Sequence, residues 1–386
     1  MFSSRVPGEL EPNRLTQAVR RVRADGRRLI DLTITNPTHV GIDYPPAILA
    51  PLSDPAGLSY DPHSTGLPDA RAAVARDYVR HGINVAPDRI VLTASTSEAY
   101  SVLFKLLCAP VGDAVLVPVP SYPLFEHLTR LDGVRSIPYR LEYHGRWAID
   151  FDSVAGAWNR DVRALLAVSP NNPTGSIVTG DELQRLSGIC AAGAAALVID
   201  EVFADYPVGG RLAVSTTKFE CLTFRLGGLS KSAGLPQLKL GWIAVDGPQD
   251  RVRDALERLD LICDTYLSVS TPVQVAAPAL IREGAAVRAS ILDRIRANDA
   301  ALRSLAASSP SIEVLPCEAG WSIVLRVPST RSEETLALEL LEEDGVLIHP
   351  GFFFDFPHEA FLVGSLLPEP PLFNQGMRCV LERADA

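Results

Sequence analysis

The seven residues "SPNNPTG", 169–175, directly follow the apolar run "ALLAV" and decide how the chain is interpreted. A plain turn needs only one or two residues such as Asn, Pro or Gly. This segment contains five of them, which predicts a loop shaped to hold a bound group. Because the run before the loop is continuously apolar, we expect it to be a strand that is buried on both faces of a sheet.

Other short apolar runs have the same character and predict further strands of that sheet. Together with "ALLAVS" (164–169), they are "RIVLTA" (89–94), "AVLVPV" (114–119), "ALVID" (196–200), "LTFRL" (222–226) and "GWIAVD" (241–246). Helix-like stretches, such as "SEAYSVLFKLLCAP" and "GDELQRLSGICAAG", lie between them. Alternating strands and helices predict an α/β fold, with a mostly parallel central sheet and helices on both faces.

The pattern changes after about residue 275, where a long helical stretch leads to "SIVLRVP" and "GVLIHPG". We therefore predict a large domain over 45–275 and a smaller α+β domain over 276–386. The segment 1–44 contains the helix-like "LTQAVRRVRADG" and is expected to pack with the small domain.

Composition narrows the classes of partner. The net charge of −10 disfavours a general nucleic-acid or anionic-membrane surface. The six cysteines form no CxxC pair, which argues against a metal site or a disulfide scaffold. The first residues contain no apolar signal core, so we expect a cytoplasmic protein with small-molecule substrates.

Four polar features follow predicted strands, at the edge where open α/β sheets bind ligands. Thr96 and Ser97 precede a helix, where hydroxyls and free N–H groups form either an anion site or an ordinary N-cap. Asn172 could donate a hydrogen bond from the loop, and Asp200 ends a strongly apolar strand, where a buried carboxylate needs a partner. Lys231 lies in a Gly/Ser-rich turn, where desolvation would make it a nucleophilic amine.

The order and spacing of these features resemble the pyridoxal-phosphate-dependent aminotransferases of fold type I, the class I/II group related to aspartate aminotransferase. The resemblance covers about Tyr60 to Gly351, and its most specific motifs are "NNPTG" (171–175), "DEVFADY" (200–206) and "SKSAGLPQLKLGW" (230–242). It implies an aminotransferase that moves an amino group from an amino acid to a 2-oxo acid or another carbonyl compound.

The resemblance also implies a role for each matching residue. Lys231 would form the internal aldimine with pyridoxal phosphate and then act as general acid and base, while Asp200 would pair with the pyridine nitrogen. Asn172 would bond the phenolic oxygen, and Tyr122 would stack on the ring. The phosphate would be bound by Thr96, Ser97, Ser230 and Lys239, together with Tyr60 from a neighbouring subunit, which implies a homodimer.

The sequence departs from the family pattern at several positions. Phe203 stands where a tyrosine is usual, so one donor to the phenolic oxygen is lost. Gly228 and Lys239 replace a usual serine and arginine near the phosphate. The segment "FLVGSLL" (361–367) contains no arginine, although a carboxylate-binding arginine is expected there. Either another group holds the substrate carboxylate, or the substrate lacks this contact.

Other reactions share the same scaffold and the same motifs. A C–S lyase acting by β-elimination, a decarboxylase or a racemase therefore remains an alternative to the aminotransferase. A nicotinamide-dependent dehydrogenase is disfavoured, because no GxGxxG sequence opens the first βα unit.

Overall fold

A computed structural model describes residues 2–8, 11–209, 217–358 and 360–386 of the 386-residue chain. The strands are β1 (Ile30–Asp31), β2 (Ile90–Thr93), β3 (Ala114–Val119), β4 (Arg135–Tyr143), β5 (Trp147–Ile149), β6 (Val162–Val168), β7 (Ala196–Asp200), β8 (Thr223–Gly228), β9 (Gly241–Asp246), β10 (Glu313–Val314), β11 (Ser322–Arg326), β12 (Val346–Leu347), β13 (His349–Pro350) and β14 (Phe361–Ser365). The helices are α1 (Arg14–Ala24), α2 (Pro68–Tyr78), α3 (Thr96–Leu107), α4 (Leu124–Asp132), α5 (Phe151–Ala157), α6 (Gly180–Ala192), α7 (Leu229–Ser232), α8 (Gln249–Tyr266), α9 (Thr271–Ala306), α10 (Glu333–Glu342) and α11 (Pro370–Asp385).

The large sheet has the strand order β2-β9-β8-β7-β6-β3-β4-β5 among the described residues. The strands from β8 through β7, β6 and β3 to β4 pair in parallel, whereas β9, β2 and β5 run antiparallel to their neighbours. Helices α3 and α8 cover one face, where Leu103 and Leu259 share an apolar cluster with Val198. Helix α6 covers the other face, where Leu186 and Leu197 belong to a second apolar cluster. The predicted fold class is confirmed.

The small sheet is antiparallel throughout, with the order β10-β11-β14-β13 among the described residues. One face packs on α9 and α11, where Ile323 and Leu362 share an apolar cluster with Met377. Val324 and Val363 point the other way, into the apolar cluster that also contains Leu165 of the large sheet. The opposite face of the small sheet is therefore turned toward the large sheet.

The N-terminal segment is attached to the last third of the chain. Strand β1 pairs in parallel with β12, and α1 forms ion pairs with α10 through Arg14–Glu334 and Arg21–Glu342. None of the helices described by the structure is both long and apolar enough to cross a membrane.

Candidate active site

The carboxylate of Asp200 ends β7 and is buried against α3. The Tyr100 hydroxyl donates to its Oδ2 at 2.9 Å, and the backbone N–H of Val202 donates to its Oδ1 at 3.1 Å. Burial raises the pKa of Asp200 to about 6, although the two hydrogen bonds and the charge of Lys231 act in the opposite direction. This carboxylate is therefore held in place at the sheet edge, but its hydrogen bonds and the nearby charge offset only part of the cost of burying it.

Lys231 lies in the short helix α7, directly after β8. Its Nζ is 4.6 Å from the ring centroid of Trp321 and 5.4 Å from that of Phe203. Burial lowers the pKa of Lys231 to about 8, and the charge of Asp200 opposes this shift. The Tyr206 hydroxyl donates to the backbone carbonyl of Lys231 and fixes the turn. An amine in this environment loses its proton close to neutral pH.

The N-terminus of α3 lies beside the start of β9. The Ser95 hydroxyl caps only the N–H of Glu98, at 3.1 Å. Because the first N–H groups of a helix have no acceptor within it, those of Thr96 and Ser97 can serve an anion. A Cβ at Gly241 would lie 3.1 Å from the Thr96 nitrogen, so the close approach of these two segments favours glycine.

The two asparagines of the 169–175 loop have different partners. Asn171 Oδ1 accepts from the Thr174 hydroxyl at 2.9 Å, within the loop. Asn172 Oδ1 accepts from the hydroxyl of Ser322 at 3.1 Å, and Ser322 belongs to the small sheet. Gly175 has a φ of +69°, and a Cβ there would lie 2.5 Å from Cys317 Sγ. The loop is therefore packed tightly against the segment that leads into β11.

The other predicted site residues are more exposed. Tyr122 follows β3 and is half exposed, and Ser230 is half-buried in α7. Lys239 is exposed with a left-handed φ of +52°, two residues before β9. Tyr60 is 77% exposed on the surface of the isolated chain. The structure thus gathers the charged pair Asp200–Lys231 in the interior but leaves Tyr60 facing solvent.

The sequence did not identify three residues that contact this region. Tyr100 lies one helical turn after Thr96, and that spacing was the available signal. Ser322 begins β11 of the small sheet and Trp321 directly precedes it, and no local pattern indicated that they would reach Asn172 and Lys231.

Strand β14 provides no cation to the site. Val363 pairs with His349 of β13, and its side chain belongs to an apolar cluster with Trp147 and Phe356. The phenylalanines of the nearby 352–356 segment differ in exposure. Phe354 and Phe356 are buried, whereas Phe352 is half exposed. The apolar residues of the segment where the arginine was expected are thus engaged in packing.

These residues are suited to pyridoxal phosphate. The group carries a basic ring nitrogen, an aldehyde and a phosphate. The region offers a buried carboxylate with a raised pKa, a lysine with a lowered pKa and free N–H groups at a helix N-terminus. A protonated ring nitrogen would relieve the unfavourable burial of Asp200.

Comparison with known proteins agrees with this chemistry. The sequence profile described as "Aminotransferase class I and II" matches residues 47–362. The chain is 26% identical to the glutamate-pyruvate aminotransferase AlaA of Haemophilus influenzae, over 87% of this chain and 85% of that protein. It is 25% identical to the alanine aminotransferase of Mycobacterium bovis, over 95% of this chain and 87% of that protein.

Solved structures share the fold. An alanine aminotransferase from Pyrococcus furiosus superposes with a TM-score of 0.89, at 22% identity and over 99% of both chains. A double mutant of Thermus thermophilus aspartate aminotransferase superposes with a TM-score of 0.84, at 21% identity and also over 99% of both chains. With the profile match over most of its length, the chain belongs to the class I and II aminotransferases, pyridoxal-phosphate-dependent enzymes that transfer amino groups.

Proposed function

We propose that this enzyme exchanges an amino group between an amino acid and a 2-oxo acid at the site around Asp200 and Lys231. The observation that carries the assignment is the buried pair itself, a carboxylate with a pKa raised to about 6 and an amine with a pKa lowered to about 8. Structural ion pairs usually show the reverse shifts, because each charge stabilises the other. A raised pKa of the carboxylate together with a lowered pKa of the amine therefore favours a site built for a third group.

Each chain residue would have a separate task in binding. Asp200 would accept a hydrogen bond from the protonated ring nitrogen and keep it charged, Asn172 would donate to the phenolic oxygen, and Tyr122 would cover the ring. The phosphate would lie at the α3 N-terminus and near α7, and its proposed ligands are Thr96, Ser97, Ser230 and Lys239. When bound, pyridoxal phosphate supplies an electron sink for the substrate carbanion.

Lys231 would carry the proton transfer. Its lowered pKa leaves a useful fraction of free amine near neutral pH, so it can accept the proton from the substrate Cα and return it. Phe203 and Trp321 line its Nζ and limit the access of water to it. The same aromatic side chains would hold the amine on the side where the reacting carbon arrives.

The relatives suggest the first substrates to examine. Two of them are named alanine and glutamate-pyruvate aminotransferases, so alanine, glutamate and their 2-oxo acids are the first candidates. Because 361–367 contains no arginine, we propose that the substrate carboxylate is held by another group of the site around Lys231.

We also propose a homodimer in which Tyr60 reaches the phosphate of the neighbouring subunit. Tyr60 and the nearby Leu58 are 77% and 89% exposed in the single chain, and Leu261 and Tyr266 are also exposed apolar residues. Exposed apolar side chains that lie together in one patch are typical of interaction surfaces. Sedimentation velocity would test the assembly: a monomer at all micromolar concentrations would contradict it.

A labelling experiment tests the central assignment. The pyridoxal-phosphate-loaded enzyme is reduced with borohydride, digested and mapped by mass spectrometry. We expect the label on Lys231, no stable label in Lys231→Ala, and unchanged labelling in Lys105→Ala, whose lysine pairs with Asp132 on the surface. Label on another lysine, or full turnover by Lys231→Ala, would refute the mechanism.

A half-reaction screen tests the reaction class. The loaded enzyme is mixed with single amino acids, and the loss of the absorbance of the aldehyde form is followed. We expect amino acids to convert it stoichiometrically, and a 2-oxo acid to restore it. Release of pyruvate and ammonia without an acceptor would instead indicate the elimination reaction.

A further inference from the structure

One hydrogen bond joins the small sheet to the loop after β6. The hydroxyl of Ser322, the first residue of β11, donates to Oδ1 of Asn172 at 3.1 Å, across 150 residues of sequence. The donor is 9% exposed and its partner is half-buried. The contact is thus largely shielded from the water that would otherwise compete for it.

In this bond the hydroxyl donates, so the Asn172 amide faces Ser322 with its oxygen. A side-chain amide has one acceptor oxygen and one NH2 group, on opposite sides. With Oδ1 bound to Ser322, Nδ2 is directed away from the small sheet. Among the described residues no protein group accepts from Nδ2, so its two hydrogens are available to a ligand.

The position of the Ser322 hydroxyl is itself well fixed. Ser322 pairs in register with Ser365 of β14, and Cys317 Sγ lies 3.4 Å from its carbonyl oxygen. The preceding residue, Trp321, is 1% exposed and packs edge-to-face on Phe203, with ring centroids 5.4 Å apart. A hydroxyl on a paired, packed strand keeps its place better than one on a free loop.

The neighbouring asparagine shows that the loop does not fix Asn172 by itself. Asn171 uses its Oδ1 inside the loop, where it accepts from both the N–H and the hydroxyl of Thr174. No such internal donor reaches Asn172 among the residues that the structure describes. Its orientation therefore depends on a group from the other sheet.

We propose that Ser322 is a positioning residue that holds Asn172 with its NH2 group toward the phenolic oxygen of the cofactor. The inference rests on the proposed role of Asn172 in binding that oxygen. A donor to this oxygen stabilises its negative charge and so lowers the pKa observed in the absorbance of the bound cofactor. Without the Ser322 hydroxyl the amide can turn its oxygen toward the phenolate, and that pKa rises.

The test is a spectrophotometric pH titration of the pyridoxal-phosphate-loaded enzyme. We expect Ser322→Ala to raise the pKa of the bound cofactor by about half a unit to one unit, the range for the loss of one neutral hydrogen bond. Asn172→Ala should raise it at least as much. The double variant should match Asn172→Ala alone, because Ser322 acts through Asn172. Ser322→Thr, which keeps a hydroxyl, should titrate like the wild type.

Ser365→Ala is the matched control. Ser365 lies directly opposite Ser322 in the ladder and is equally small and buried, but its hydroxyl accepts from the N–H of Leu367. We expect it to leave the pKa unchanged. An equal shift in Ser365→Ala would show that loosening of the sheet is responsible and would overturn the inference, as would additive shifts in the double variant.

The two levels of the proposal can fail separately. If Asn172→Ala shifts the pKa and Ser322→Ala does not, the positioning role is refuted and the assignment of Asn172 stands. If Asn172→Ala itself has no effect, the assignment of Asn172 fails, and the inference about Ser322 fails with it.

Discussion

Replacement of Asp200 by asparagine should stabilise the cofactor-free protein while it weakens cofactor binding. The pKa of this carboxyl rises from 3.8 to about 6 on folding because the group is buried. At about 1.36 kcal/mol per pKa unit, the ionised carboxylate costs the cofactor-free fold about 3 kcal/mol. Asparagine has nearly the same shape and no charge to desolvate.

The sign and the pH window follow from linkage. Well below pH 3.8 the carboxyl is neutral in both the folded and the unfolded states, and its ionisation contributes no difference between the two proteins. As the pH rises to about 6, the unfolded chain releases the proton before the folded one, so the wild type loses stability and the variant does not. Above about pH 6 the difference in stability between the variant and the wild type should stay constant. In the variant the Tyr100 hydroxyl loses its acceptor, which offsets part of this advantage. We therefore expect the free energy of unfolding of Asp200→Asn to exceed that of the wild type by about 1–3 kcal/mol at pH 8.

The assay is urea denaturation of the cofactor-free proteins between pH 4 and pH 8, paired with titration by pyridoxal phosphate. Glu201→Gln is the control, because Glu201 Oε1 accepts from the buried Arg225 at 2.5 Å. That variant leaves a charge unpaired and should lose stability, by about 3–5 kcal/mol for a fully buried pair. An Asp200→Asn protein that is less stable than the wild type at pH 8, or that binds the cofactor as tightly, would refute the reasoning.

Three further predictions concern neighbouring residues. Because burial lowers the pKa of Lys231 to about 8, capture of pyridoxal phosphate by the cofactor-free enzyme should speed up with pH and level off just above pH 8; a rise continuing to pH 10.5 would contradict the shift. Phe203→Tyr should lower the pKa seen in the absorbance of the bound cofactor by about one unit, through a restored donor to the phenolic oxygen, and an unchanged titration would count against it. Gly228→Ser should destabilise the fold by about 1–3 kcal/mol in urea, because its Cβ would lie 3.1 Å from the carbonyl oxygen of Leu240; a more stable variant with tighter cofactor binding would show that a serine fits there.

Much of the large sheet was predictable because its central strands are buried on both faces. The runs 114–119, 196–200 and 241–246 match β3, β7 and β9 to the residue. Strands β4 and β5 were missed. Strand β4 mixes exposed residues, such as Arg135 and Arg140, with half-buried and buried ones, so it lacks the continuous apolar run that identified the others.

Functional residues at strand ends were also predictable, because a polar side chain stands out when it directly follows a continuous apolar run. The sequence predicted that Asp200 needs a partner, and the Tyr100 hydroxyl provides one. The partners themselves could not be predicted, because they depend on how distant elements pack. The domain boundary at 275/276 stays a prediction, and α9 runs continuously across it.

The attachment of α1 to α10 has a consequence for synthesis of the chain. Arg14 and its partner Glu334 are separated by 320 residues, which a ribosome needs about 15–65 s to add. During that interval the apolar stripe of α1, formed by Leu15, Ala18 and Val22, has no native surface to cover it. Until α10 has been synthesised, the growing polypeptide therefore exposes an apolar stripe that its native partner cannot yet cover.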